Sequence, residues 1–191
     1  MEFSSNINTA LIFLNGILIF GVTNIYAQNF SPSIQNLDFI DIKEMKMLIH
    51  LPNTWQSTFQ NGVVQMWDTR NTIAGMAGVI LPQEGTIFPS ADTPINEVGK
   101  NIENFISSDP NLVALLGSYD EPSLNAYSIS SQFTNDNNMQ MFDNTFYKIS
   151  NGYLYYLSIR MPAEIAKENT EIVSFLTTYF VVGEEYDSLP H

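Results

Sequence analysis

The sequence predicts an α+β domain in which amphipathic helices cover one mainly antiparallel sheet. Three observations carry this. Several segments alternate apolar and polar residues, the period of a half-buried strand. Two longer stretches place apolar residues at helical spacing, and such stripes must be buried on another element. Short turn clusters join successive strands, and hairpin-joined strands run antiparallel. The predicted order is three strands, a helix, four strands and a helix.

The first strand spans about Lys43 to Leu51. Met45, Met47, Ile49 and Leu51 alternate with Lys46, Leu48 and His50. Pro52 lacks the N–H that continued pairing needs, so the strand ends there. Trp55 follows the turn residues Asn53 and Thr54, and is expected to close one end of the core. Gln60-Asn61-Gly62 is a turn, and Val63 to Asp68, with Trp67, is the second strand. Ile73 to Leu81 is the third, ended by Pro82. Its Ala74, Gly75, Ala77 and Gly78 permit close approach, with a helix as the expected neighbour. A longer connection, Pro82 to Asp92, names no chemistry of its own.

Thr93 fits a helix N-cap and Pro94 the first helical position. Ile95, Val98, Ile102, Phe105 and Ile106 form the stripe of that helix. Four strands follow: Leu112 to Tyr119, Ala126 to Thr134, Met139 to Ile149, and Tyr153 to Arg160. Asn151-Gly152 is the strongest hairpin signal, because both residues accept the positive φ of a type I′ turn. The last helix runs from Ala163 to Phe180 with a break near Asn169-Thr170. Its stripe includes Ile165, Ile172, Phe175, Leu176 and Tyr179.

With 191 residues, 45% hydrophobic and 13% aromatic, the chain can bury the core of one domain. Seven basic against twenty acidic residues give a formal charge of −13. That excludes a basic nucleic-acid groove and disfavours anionic membrane surfaces. No cysteine is present, so disulfides and thiolate chemistry are excluded. Residues 10–22 are an apolar run of signal-peptide type, and Ile25-Tyr26-Ala27 before Gln28 suits cleavage. Glu2 and the lack of Lys or Arg ahead of the run leave an uncleaved membrane anchor as the alternative. The expected division is residues 1–27 as signal or anchor, 28–40 as linker, 41–183 as the domain and 184–191 as an acidic tail. Asn29-Phe30-Ser31 matches a glycosylation sequon.

The Pro52–Trp55 unit, with a strand before it and a hairpin after, resembles the opening of PsbP-like domains. The segment from Tyr153 to Pro162, followed by a helix with Glu171-Ile172-Val173-Ser174-Phe175, is similar to the ending of that family. The resemblance covers roughly residues 40–182. It implies an α/β/α sandwich, the PsbP and Ran-binding Mog-type fold. It also implies an exported, non-catalytic binding or assembly module, whose partner is a protein or small ligand outside the cytoplasmic membrane. The family's photosystem members are extrinsic lumenal subunits, and the scarcity of basic residues here departs from their docking surface.

Catalytic chemistry has little support in the residues. There is no nucleophile elbow, no glycine-rich phosphate loop, and His50 and His191 are the two histidines. Asp120-Glu121, Glu184-Glu185 and Asp187 are carboxylates that glycosidase chemistry would need facing each other. Asp136 among Asn135, Asn137 and Asn138 lacks calcium-loop spacing and reads as a solvated turn. The alternative function is metal handling. Met45 and Met47, with His50 nearby, and Met139 and Met141 would offer soft thioethers to Cu(I), or the acidic groups would hold a hard cation. Core filling is the competing role of those methionines. No cofactor and no nucleic acid is expected, and membrane contact only through an uncleaved N-terminus. The residues assigned structural roles are Pro52, Trp55, Trp67, Asn151, Gly152 and Phe175.

Overall fold

A computed structural model describes residues 37–190. The expected signal segment, the sequon and most of the linker lie outside the described residues, as does His191. The strands are β1 (Leu37–Ile42), β2 (Met47–Pro52), β3 (Gln56–Gln60), β4 (Val63–Trp67) and β5 (Ala74–Ile80). After helix α1 (Ile95–Ser107) come β6 (Leu112–Glu121), β7 (Ala126–Thr134), β8 (Gln140–Ser150) and β9 (Tyr153–Pro162). The chain closes with α2 (Ala163–Ala166), α3 (Thr170–Thr178), β10 (Phe180–Val182) and α4 (Glu184–Asp187).

Seven strands form one sheet in the order β3-β4-β5-β9-β8-β7-β6, and every neighbouring pair is antiparallel. A second sheet, β1-β2-β10, is also antiparallel. The expected α+β layering on a mainly antiparallel sheet is what the chain adopts. One face of the large sheet packs on α1 through Ile80, Val98, Ile102, Tyr127, Leu154 and Tyr156. The opposite face packs on the small sheet and α3 through Met47, Ile49, Val64, Leu157, Phe175 and Leu176. The layer on that side is therefore a helix plus three strands.

The strand β9 serves both layers. Tyr155, Leu157, Ile159 and Met161 enter one core, while Leu154 and Tyr156 enter the other. Asn151 (φ 53) and Gly152 (φ 75) make the turn that sets β9 against β8. Trp55 is 8% exposed within the small-sheet core, and its backbone N–H donates to the Pro52 carbonyl at 2.8 Å.

Several expected boundaries are corrected. Residues 37–40 belong to β1 and not to the linker; Asp38 and Asp41 interrupt the apolar pattern that marks a strand. The stretch from Lys43 begins with a 3-10 turn, Lys43–Met45, and Lys46 takes φ 48, so β2 starts only at Met47. The edge strand β3 is exposed along its whole length and carries no apolar alternation. Strand β10 occupies the end of the segment expected to be helical, because Phe180 and Val182 are buried beside β2. Residues Lys167–Asn169 form the expected break as a 3-10 turn. The segment expected to be an acidic tail folds as α4 and buries Tyr186, whose hydroxyl donates to Asp41 Oδ1 at 2.6 Å.

Pro94 is the N-cap of α1, not its first helical residue. The hydroxyl oxygen of Thr93 instead accepts the N–H of Ser90 at 3.1 Å. The small residues of β5 make room for side chains and not for a helix. A Cβ on Gly75 would meet the Met66 side chain at 2.8 Å, and one on Gly78 the Tyr156 ring at 2.9 Å. Loop 82–92 contributes Phe88, fully buried, and Ile87 to the core beneath α1.

Helix α1 sits on the sheet through Gly99, where an added Cβ would lie 2.6 Å from the Tyr127 ring. That ring is tethered, since Tyr127 Oη donates to Glu103 Oε1 at 2.6 Å. Alanine is favoured over glycine in a helix by about 1 kcal/mol. Here overpacking reverses the sign. Gly99→Ala is expected to lower stability by about 1–2 kcal/mol in urea unfolding; a gain would show that the ring moves freely.

Candidate functional site

A cavity of about 260 Å³ lies between α1 and the large sheet. Helix α1 supplies Ile102, Phe105 and Ile106, the 82–92 loop supplies Ile87, and the sheet supplies the floor. The exposed Phe105, Ser108 and Pro110 form its mouth. The walls are mostly apolar, but the floor across β7, β8 and β9 carries Ser131, Asp143, Thr145, Tyr147, Tyr156 and Arg160.

Strand register explains the polar floor. The turn at Asn151-Gly152 sets Asp143 directly opposite Arg160, and Thr145 opposite Ser158. Asp143 is 6% exposed. Its Oδ2 accepts Arg160 Nε at 3.0 Å and lies 3.0 Å from Nη2. Thr145 Oγ1 donates to Oδ1 at 2.9 Å, and Ser158 Oγ lies 3.2 and 3.3 Å from the two oxygens. The Arg160 guanidinium carbon lies 4.3 Å from the centre of the Phe133 ring, a cation–π contact. A buried carboxylate is tolerable only when paired and hydrogen-bonded in this way.

Two phenols complete the floor. Burial pushes the Tyr147 hydroxyl well above its usual range, and the Asp143 carboxylate adds to that shift. Burial raises Tyr156 likewise. Tyr156 Oη is enclosed without a hydrogen-bond partner among the described residues. Beside the cavity, burial and the bond to Glu103 push Tyr127 up to about 12. The Tyr127 and Ser118 hydroxyls hold the Glu103 carboxyl below its ordinary range. All these phenols are neutral near neutral pH, so each hydroxyl can donate as well as accept a hydrogen bond.

A second feature borders the cavity. Strand β6 ends the large sheet and pairs only with β7 among the described strands. Register shifts at Leu112/Ala114 and Leu115/Gly117 bend it. Val113, Leu115, Leu116 and Tyr119 are 49%, 41%, 53% and 63% exposed. Asp109 precedes this strip, and Asp120 and Glu121 end it.

Apart from Asp120 and Glu121 at the end of β6, the described residues singled out in the sequence lie elsewhere. Met47 is fully buried in the small-sheet core, and Met45 packs partly buried against that core from the 3-10 turn. Met141 lies on β8 and Met139 precedes it, so neither methionine pair shares one strand face. His50 packs edge-on against Tyr179 at 5.8 Å. Among the described residues no group of three or more His, Asp or Glu side chains converges as a metal site. Trp67 Nε1 donates to Gln56 Oε1 across β3–β4 at 3.1 Å, and Phe175 is buried against Tyr179. Glu121 Oε2 accepts from Tyr119 at 2.7 Å, Asp187 pairs with Lys46 and Glu185 with Lys148. The Asp136 turn is closed by Asn135 Oδ1, which accepts the N–H groups of Asn137 and Met139.

No family model matches the chain, and no curated protein matches it. Solved structures do. Cyanobacterial PsbP (CyanoP) from Synechocystis has a TM-score of 0.54 at 14% identity, covering 82% of this chain and 98% of that one. The Ran-binding protein Mog1p of Saccharomyces cerevisiae has a TM-score of 0.55 at 8% identity, covering 79% and 98%. The fold is the PsbP-like, Mog-type sandwich, and at these identities the likeness is one of fold. No described helix is long and apolar enough to cross a membrane.

Proposed function

We propose that this chain is an exported, non-catalytic binding module that docks a polypeptide outside the cytoplasmic membrane. The observation that carries the reading is the apolar strip on the open edge of β6. Contiguous exposed apolar residues on a sheet edge mark an interaction surface. The fold shared with Mog1p, a Ran-binding protein by name, supports a protein partner. The apolar segment at residues 10–22 and the Ile25-Tyr26-Ala27 site support export.

Charge selects the partner. Acids stand at both ends of the strip: Asp109 at one, Asp120 and Glu121 at the other. Two copies of this chain paired antiparallel about Leu115 would bring those acids together, which opposes self-association. A partner with an apolar stretch between Lys or Arg residues complements both features.

The test uses a labelled peptide of β-branched residues with Lys-Lys ends, against the same peptide with Glu-Glu ends. The basic peptide should bind the full chain and weaken with salt. Leu116→Lys should lower its affinity about tenfold or more. Equal binding of both peptides, or a concentration-dependent dimer of the chain, would overturn the docking mode. Export is tested separately: the chain recovered outside the cytoplasm of a producing bacterium should begin at Gln28.

A further inference from the structure

We infer that the cavity beneath α1 binds a small, uncharged, mainly apolar molecule that presents one hydrogen-bond acceptor, such as a ketone or amide carbonyl. The cavity is distinct in chemistry from the strip on β6, and it is assigned a ligand of its own.

Size comes first. About 260 Å³ is near the lower end of small-molecule sites, which run from about 300 Å³ upward. Ile80, Ile87 and Ile102 make the body of the cavity apolar. Apart from Ser108 and Asp109 at the mouth, polarity is gathered on the floor, so a ligand that enters is held by one polar end.

The floor then fixes the sign of that end. Asp143 is the acceptor there, and it is saturated by Arg160, Thr145 and Ser158. The charged group that remains is a donor, Arg160. Arg160 commits Nε and Nη2 to Asp143, which leaves Nη1. Tyr156 is 6% exposed, and its hydroxyl has no partner among the described residues. That hydroxyl is sealed over Gly78 and away from the cavity, so the donor a ligand oxygen meets is the Nη1 end of Arg160 in the lining. The ligand therefore brings an acceptor.

Charge excludes an anion. The Asp143–Arg160 pair is neutral as a unit, and Asp109 at the cavity edge adds a negative charge. The chain as a whole carries −13. A carboxylate entering would lose its hydration without meeting net positive charge. A neutral carbonyl loses far less and gains the same donors.

The experiment titrates the full chain with three probes of matched size: acetophenone, benzoate and benzylammonium. Binding is read by calorimetry and by side-chain N–H shifts of Arg160. Acetophenone should bind saturably and shift the Arg160 signals, with benzoate about tenfold weaker or more. Ile106→Trp, which fills the cavity from the partly buried face of α1, should abolish acetophenone binding while the Lys-ended peptide still binds β6. The inference is overturned if no probe saturates, if benzoate binds best, or if Ile106→Trp binds as wild type does. Loss of peptide binding with acetophenone binding intact would sink the docking proposal alone.

Discussion

Arg160→Met is expected to destabilise the fold by about 3–5 kcal/mol, a large share of a typical domain's stability. The argument rests on what is left behind. Asp143 is 6% exposed and faces the apolar cavity beneath α1. With Arg160 gone, only the hydroxyls of Thr145 and Ser158 would still compensate its charge. Asp143→Leu combined with Arg160→Met should recover most of the loss, since an apolar pair of similar volume replaces a buried ion pair at little cost. Urea unfolding of the two single variants and the double variant closes the cycle. An additive double variant would show that the pair is not coupled.

The second large effect is alkaline. Tyr127 is pushed up to about 12, and burial holds Tyr147 and Tyr156 higher still. In the unfolded chain these phenols ionise near 10. Their contribution is complete below pH 10 and is lost as pH rises from there toward the folded values. Each phenol subtracts about 1.4 kcal/mol per pH unit while only the unfolded form is ionised. The urea midpoint should therefore fall steeply above pH 10 and be insensitive to these groups at neutral pH. Tyr127→Phe should flatten the fall by one proton's slope. A midpoint unchanged between pH 9 and pH 11 would contradict this account.

Much of the architecture was legible because it rests on local signals. Alternation placed β7 at Ala126–Thr134 and positive-φ residues placed the β8–β9 turn. What was missed has no local signal. Strand β3 is exposed on both faces, so nothing in Gln56–Gln60 alternates. Strand β10 is only three residues long and follows a helix without a proline or glycine between them. The run at Leu112–Tyr119 reads as a strand, but an apolar run signals burial, whereas much of β6 faces outward.

The site divides the same way. Asp143 and Arg160 sit seven residues from Ser150 and Tyr153, on either side of the two-residue turn. A two-residue hairpin fixes that register, so their pairing could have been read from the sequence. Arg160 is the single charge in a strand otherwise rich in apolar residues, which is the signal that was available; Asp143 has Asn144, Thr145 and Lys148 beside it in β8 and does not stand out. The cavity itself was not legible. It exists only because α1 and the sheet leave a gap, and no spacing of residues records a gap. The methionine pairs misled because a turn at Lys43–Met45 and the late start of β8 break the alternation that the spacing suggests.

The turn at Asn151-Gly152 acts as a parity setting for the molecule. Odd residues of β9 and even residues of β8 face the small sheet; the opposite set faces α1. Inserting or deleting one residue in that turn would invert the assignment for one strand while leaving its composition unchanged. On β9 such an inversion would send Arg160 into the small-sheet core and Leu157 onto the charged floor. Two residues with positive φ thus decide which of two interiors stays dry and which one keeps a polar floor able to receive a guest.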